Sequence, residues 1–481
     1  MTPRKPEQKP PLSPVKQALL ARLATGGPGA SGPAIPRVPG DGPFPLSYPQ
    51  DRIWFASQLA PDVRLFNLMS GIWLPRPVDP AQLRQRLARA VERQDALRMS
   101  VQVTGDEPGL VAAPSVPGTV AVLDRSSASG DTDTLARQAV LAVGSAPYRL
   151  DRPPLWRVAL VRLPGEAQLL VMAAHHLIMD GPSFPLLGVD LLDQADRPAP
   201  PVRYGDFASW QKSLVAAGGI NGELAYWRER LADLPPPLDL AAGRERPARR
   251  SFRGGTVARD VPERLLRQVR ELCRRAGTTP YCAFLAGFAA LLNRYTGAGD
   301  IVVGVPVSGR TMPELANLIG MFVNVVPLRM RPDGAATFRR LLAETSQALA
   351  EALSRQTVPF ELLVTDLRLG GTRSQPPLAQ VGFNMPTQDV PDKLRLAEVP
   401  FSAEGSQLDL TAHVQPYGPD HLRVLFEYAS DLFDEQAVGQ MIDHYLLLLA
   451  GLAADAGRPI GELPLLQPRE RAALLAGHGP A

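Results

Sequence analysis

Residues 167–192 constrain this chain more than any other stretch. Ala167-Gln168-Leu169-Leu170-Val171-Met172-Ala173 is an apolar run of strand length, and residues 182–192, beginning Pro182-Ser183, read as an amphipathic helix. Between them stands Ala174-His175-His176-Leu177-Ile178-Met179-Asp180-Gly181. Two imidazoles therefore leave a buried strand and enter a turn, and a Gly after an Asp predicts an unusual backbone conformation there. A His at a strand end can present its ring to a cavity, but a His pair beside a strand is also commonly packed structure. Structural zinc sites use spaced Cys and His; the two cysteines here, Cys273 and Cys282, lie far from the motif in sequence, so no metal site is expected.

At 481 residues the chain exceeds one ordinary core, which predicts two domains or lobes. A net charge of +3 leaves no nucleic-acid footprint, and the arginines of 244–250 read as a solvated connector. There is no run of eighteen apolar residues, and the Pro- and Lys-rich N-terminus lacks an apolar signal core. The expectation is a cytoplasmic protein with no membrane contact. Cys273 and Cys282, nine residues apart on successive helical segments, are expected as reduced thiols.

Residues 1–43 read as a Pro/Gly-rich leader carrying one short helix, Leu12 to Leu23, with Ser13 as N-cap and Pro14 at the first helical position. The body opens at Phe44-Pro45-Leu46-Ser47-Tyr48-Pro49-Gln50-Asp51-Arg52-Ile53-Trp54-Phe55. Pro80 to Val91 forms a helix whose apolar face is Leu83, Leu87, Ala90 and Val91, running on to Arg93-Gln94-Asp95-Ala96-Leu97-Arg98. After the His motif come Tyr204-Gly205-Asp206-Phe207-Ala208-Ser209-Trp210, whose aromatics at helical spacing predict core, and a Pro-rich break at 234–237. The second half carries the strand 300–307 turning into Ser308-Gly309-Arg310. Ile319-Gly320-Met321-Phe322-Val323-Asn324 follows, then Val358-Pro359-Phe360-Glu361, Pro377-Leu378-Ala379-Gln380-Val381 and Phe426-Glu427-Tyr428-Ala429-Ser430-Asp431-Leu432-Phe433. Asn324 is a polar residue inside an apolar strand, so its amide must find partners, either tying two lobes or facing a channel. The expected organisation is 44–240 as the N-terminal lobe, 241–254 as linker, 255–462 as the C-terminal lobe and 463–481 as a linker-like tail.

These ordered strings, from about residue 44 to 475, resemble those of the condensation domains of nonribosomal peptide synthetases, in the chloramphenicol acetyltransferase-like superfamily. The resemblance implies an α+β (α/β sandwich) fold of two such lobes in a V with a central tunnel. It implies no cofactor bound by the domain itself. Donor and acceptor carrier proteins would bring substrates on 4'-phosphopantetheine arms, with an adenylation domain downstream as a further partner. It places His176 at the reacting centre, as general base or positioning group, with His175 as a packing neighbour. Asp180 pairs with Arg98 in that family, and Gly181 would allow close approach and offer its amide to the oxyanion. Ser308, Asn324 and Pro182 become channel or lobe-interface candidates. Pro182 departs from the usual Trp or Val, which leaves the acceptor open. Other readings the sequence keeps are an acyltransferase using coenzyme A or a soluble acceptor, to give an amide or an ester, and a silent module that recruits carrier proteins or oxygenases. An epimerisation domain is disfavoured by Ile319 to Asn324.

Overall fold

The computed structural model describes residues 35–59, 64–193, 197–240, 244–369, 374–386, 395–396, 405–416 and 421–477. The leader helix expected at Leu12 to Leu23 lies outside them. The first half contains β1 (Phe44–Pro45), α1 (Tyr48–Leu59), β2 (Asn67–Trp73), α2 (Pro80–Arg93), β3 (Met99–Thr104), β4 (Glu107–Ala112), β5 (Val120–Asp124), α3 (Thr132–Gly144), β6 (Trp156–Arg162), β7 (Gln168–His175), α4 (Ser183–Leu192), α5 (Tyr204–Ala216) and α6 (Asn221–Arg230). The second contains β8 (Gly254–Asp260), α7 (Glu263–Ala276), α8 (Pro280–Thr296), β9 (Ile301–Val307), β10 (Asn324–Met330), α9 (Phe338–Leu353), α10 (Phe360–Asp366), β11 (Val381–Asn384), β12 (Arg395–Leu396), β13 (Leu410–Pro416), β14 (Leu422–Ala429), α11 (Glu435–Ala454) and α12 (Pro468–Gly477).

Two large mixed sheets organise the chain. The first has the order β12-β2-β7-β6-β5, the second β10-β9-β11-β13-β14-β8, and β1-β4-β3 form a small third sheet. Strand β7 is central, antiparallel to β2 on one side and β6 on the other. One of its faces meets α3, with Leu169, Val171 and Ala173 against Ala136 and Val140. The other, with Leu170, Met172 and Ala174, joins a core shared with α2 and α4. Burial on both faces explains why this strand is apolar throughout rather than alternating. Asp79 caps α2 by accepting the Ala81 N–H at 3.0 Å, and the buried face is Leu83, Leu87, Ala90 and Val91, as the spacing predicts.

In the second sheet, helix α8 is buried from Cys282 to Leu292, which accounts for its nearly all-apolar sequence. Cys273 and Cys282 are buried free thiols. Helix α11 is long and apolar enough to cross a bilayer, yet Val438, Ile442, Leu448 and Leu452 belong to the core of this sheet.

The two halves exchange material. Leu315, Leu318, Ile319, Met321 and Phe322 come from the second half of the sequence but sit in the core of the first sheet. Strand β12 extends that sheet by pairing with β2, Arg395 opposite Trp73. Conversely Ile220, Leu224, Trp227 and Leu231, which the sequence assigns to the first lobe, pack in the core of the second sheet. The Trp227 indole N–H donates to the Arg355 carbonyl at 3.1 Å. Packing therefore changes lobe before residue 240.

Candidate functional site

His175 is the last residue of β7 and His176 the first of the turn that follows. Their roles separate at once. The His175 ring is buried edge-on between Phe66 and Tyr148, with centroids 6.1 and 6.0 Å away. Its Nδ1 accepts the Leu177 N–H at 3.2 Å, and burial pushes its pKa down to about 3. A ring so held stays neutral and braces the turn.

His176 is only partly buried. Its backbone N–H donates to the Phe66 carbonyl at 2.7 Å, and its Nδ1 lies 2.9 Å from the Met179 carbonyl. A carbonyl only accepts, so Nδ1 carries the proton and Nε2 keeps its lone pair. Burial lowers the imidazole pKa below its ordinary value; the Asp180 carboxylate and the Met179 carbonyl act against this, and the Arg52 charge reinforces it. At neutral pH the ring is an uncharged acceptor.

Asp180 does the holding, with a partner that differs from the expected one. Arg98 does not reach it: that guanidinium donates to the Val91 carbonyl at 3.1 Å and to the Ala113 carbonyl at 2.7 Å. Arg310 takes the place, its two terminal nitrogens 2.7 and 3.0 Å from the carboxylate oxygens of Asp180. The acid also accepts the Phe322 N–H at 3.0 Å and both the N–H and hydroxyl of Ser183, at 3.0 and 2.7 Å. The Asp180 N–H donates to the Gly320 carbonyl at 3.0 Å. Thus a carboxylate in the first lobe is satisfied mainly by residues 310–322 of the second half, and the pair is almost wholly shielded from water.

Two glycines make that insertion possible. Gly309 has φ +66°, and a Cβ there would lie 1.9 Å from the Phe322 carbonyl oxygen, so no other residue can turn the chain into Arg310. At Gly320 a Cβ would fall 2.1 Å from the Tyr204 ring. Gly181 is different: its φ is outside the left-handed region and nothing lies within 4 Å of where a Cβ would stand, so the unusual backbone expected from the Asp-Gly pair does not occur. Pro182, in helical conformation at the mouth of α4, loses no bond by lacking an N–H, since a first-turn N–H has no intrahelical partner.

Several further residues complete the seat. Gln50 donates to the Leu177 carbonyl at 2.8 Å, fixing the turn from α1. Gln94, where the resembled family has His, donates to the Asn317 carbonyl at 2.9 Å and accepts the Ile319 N–H at 3.0 Å. Tyr204, fully buried, donates to the Met321 carbonyl at 2.7 Å. The sequence signals that point to them are a Gly-Arg pair closing an apolar strand and, for Gln50, Gln94 and Tyr204, their places in the ordered strings. Asn324 does not tie the two lobes together. Its amide donates to the carbonyls of Gln356 and Val358 at 2.9 and 2.7 Å and accepts the Phe360 N–H at 3.0 Å, which anchors α10 to β10. Helix α10 in turn offers Glu361 to Arg52 at 2.7 Å, and Gln407 accepts from the same guanidinium at 2.9 Å. Ser308 is exposed at the end of β9.

Two mixed sheets with a His-bearing turn clamped between them define a two-lobed fold of the chloramphenicol acetyltransferase type. The family model for the condensation domain matches residues 41–475, and the chain belongs to the condensation-domain family of nonribosomal peptide synthetases. It is 34% identical to phosphinothricin tripeptide synthetase PhsC of Streptomyces viridochromogenes, over 95% of this chain and 43% of that protein. It is 31% identical to tyrocidine synthase 2 of Brevibacillus parabrevis, over 95% of this chain and 13% of that protein. The chain thus spans less than half the length of these relatives. Among solved structures, the first condensation domain of the calcium-dependent antibiotic synthetase, in complex with a substrate analogue, superposes with a TM-score of 0.76 at 25% identity, over 88% of this chain and 99% of that one. The X-domain from teicoplanin biosynthesis gives 0.77 at 25% identity, over 90% and 100%.

Proposed function

We propose that this domain joins an acyl or peptidyl thioester on one carrier protein to the amine of an acceptor on a second carrier, through 4'-phosphopantetheine arms, to form an amide. The observation that carries this reading is the His176 ring, neutral, tautomerically fixed by Met179 and mounted on a turn that both halves of the chain hold still. The acceptor nitrogen attacks the thioester carbonyl; the C–N bond forms, the C–S bond breaks, and the proton shed by the amine ends on the departing thiolate. Nε2 accepts a hydrogen bond from the amine, aims its lone pair and takes that proton in transit. The thioester is already activated, so alignment of the two arms supplies much of the remaining acceleration. Gly181, with open space in front of it, and the neighbouring Pro182 shape the acceptor's side of His176.

The test is product analysis by mass spectrometry with donor-loaded and acceptor-loaded carrier proteins, comparing wild type with His176→Ala. Amide formed by wild type and lost in the variant supports the reading. Equal product from both refutes the role of His176. Absence of product from wild type with loaded carriers, while acyl-coenzyme A is consumed, would move the domain to the soluble-donor class.

A further inference from the structure

Three adjacent residues of α1 reach three different parts of the molecule, because successive helical positions point about 100° apart. Asp51 stays within its own lobe, paired with Lys212 of α5. Gln50 holds the His turn, donating to the Leu177 carbonyl at 2.8 Å, one residue beyond His176. Arg52 reaches the second lobe with two arms of its guanidinium. Its Nε donates to Glu361 of α10 at 2.7 Å, and a terminal nitrogen donates to the Gln407 side chain at 2.9 Å.

Both targets of Arg52 are anchored in their own lobe. The Phe360 N–H, beside Glu361, donates to Asn324 at the head of β10 at 3.0 Å. The second Glu361 oxygen is shielded and has no partner, so Arg52 is the one group bonded to that carboxylate among the described residues. Gln407 stands in the loop 405–409, where Asp409 pairs with Arg246 at 2.6 Å and the Ser406 N–H donates to the Phe252 carbonyl at 3.0 Å. A bonded path therefore runs from β10 through Asn324, Glu361, Arg52 and Gln50 to the Leu177 carbonyl. The Asp180–Arg310 clasp fixes the far end of the turn, and this path fixes the near end, with the His176 ring between them. The Arg52–Glu361 pair is partly open to water, unlike that clasp. Such a pair adds little to stability, so what it supplies across the seam is geometry.

We propose that Arg52 is a positioning residue for His176, fixing the second lobe to the His turn through Glu361 and Gln407 on one side and through Gln50 of its own helix on the other. The assignment rests on the condensation reading above and adds to it a residue that makes no bond to the imidazole. A shift of about 1 Å in a reacting group can cost on the order of 100-fold in rate. Loosening one of the two anchors of the turn is therefore enough to slow the reaction while the protein stays folded. Lysine at this position would keep the charge beside Glu361 but could not present a rigid fork to two partners.

The test compares wild type, Arg52→Gln, Arg52→Lys, Glu361→Gln and the Arg52→Gln/Glu361→Gln double variant, by amide formation between loaded carrier proteins and by hydrogen exchange of the turn 175–181. Arg52→Gln is expected to lower kcat about 10-fold with KM for the carriers little changed, and Glu361→Gln to lower it in the same direction. The double variant should be no slower than Arg52→Gln, because the two side chains act as one unit. Arg52→Lys should recover part of the loss. Amides of the turn should exchange faster in both single variants, while those of the buried helix α8 stay as in wild type. Wild-type kcat in folded Arg52→Gln, or losses that multiply in the double variant, overturn the proposal. Wild-type kcat in Glu361→Gln, which keeps the Arg52 charge, also overturns it, since charge and not geometry would then be at work. If Arg52→Gln fails to fold, Glu361→Gln and Arg52→Lys decide the question. Faster exchange of the turn without product from wild type removes the condensation reading and leaves the link to the second lobe. Product formed at the wild-type rate by Arg52→Gln does the reverse.

Discussion

The two flanks of the turn 175–181 are built on opposite plans. On the Asp180 flank the carboxylate is saturated: two guanidinium nitrogens, two backbone N–H groups and a hydroxyl converge on it, and only the Arg310 Nε is left without a partner. On the seam flank, valences are left over: Nε2 of His176 keeps its lone pair, and Glu427 has no cation among the described residues. A saturated polar network is rigid and inert, because any substitution strands a buried partner. An unsaturated one is poised for a ligand. The motif thus separates support from chemistry within six residues, and substitutions on the two flanks should fail in different ways.

The largest effect should come from the saturated flank. Arg310→Ala leaves Asp180 as an uncompensated buried charge and should cost about 3–5 kcal/mol in denaturant unfolding. Arg98→Ala should cost far less, and its effect should add to that of Asp180→Asn within about 0.5 kcal/mol, since the two side chains share no bond. Strong coupling between Arg98 and Asp180, with none to Arg310, would reverse the assignment of the partner.

On the open flank His176→Ala should reduce amide formation about 100-fold or more, while the melting temperature stays near that of wild type. Burial lowers the pKa of this imidazole, so the working neutral form predominates at pH 7. Its contribution to the rate should be flat above the ordinary imidazole range and fall only on acidification. A rate that rises steadily between pH 7 and 9 would mean that another group, the acceptor amine included, sets the protonation step.

Asn324 tests whether support extends beyond the motif. Asn324→Ala removes two donors and one acceptor from the turn before α10, and should cost about 2 kcal/mol. Because α10 carries Glu361 to Arg52, a displaced α10 should also weaken turnover; unchanged kcat with lowered stability would confine Asn324 to packing.

What is legible in the sequence is local. The apolar run of β7, the face of α2 and the buried helix α8 follow from periodicity, because each is written in consecutive residues. The pairing of Asp180 with Arg310, separated by 130 positions, is written nowhere locally; it depends on residues 308–323 crossing into the other lobe's core. The same holds for α6, whose apolar residues give no sign of which sheet they cover. The expected role of Arg98 fails for a related reason: an arginine at a helix end offers donors to the nearest carbonyls, and those of Val91 and Ala113 take up its guanidinium.

The smallest effect, and the sharpest test of the unsaturated flank, is the pH dependence of Glu427. Its pKa rises from the ordinary 4.5 of the free side chain to about 7 in the folded protein, so the native state binds a proton that the unfolded chain releases. That favours folding below pH 4.5, and the advantage is lost as pH climbs through 7. Glu427→Gln, which cannot ionise, should therefore be more stable than wild type at pH 8, by around 1 kcal/mol after allowance for the solvent that reaches the site, and should lose that lead by pH 5. Stability curves for the two proteins that run parallel from pH 5 to pH 8 would show that Glu427 ionises freely, and the contrast between the flanks would then rest on His176 alone.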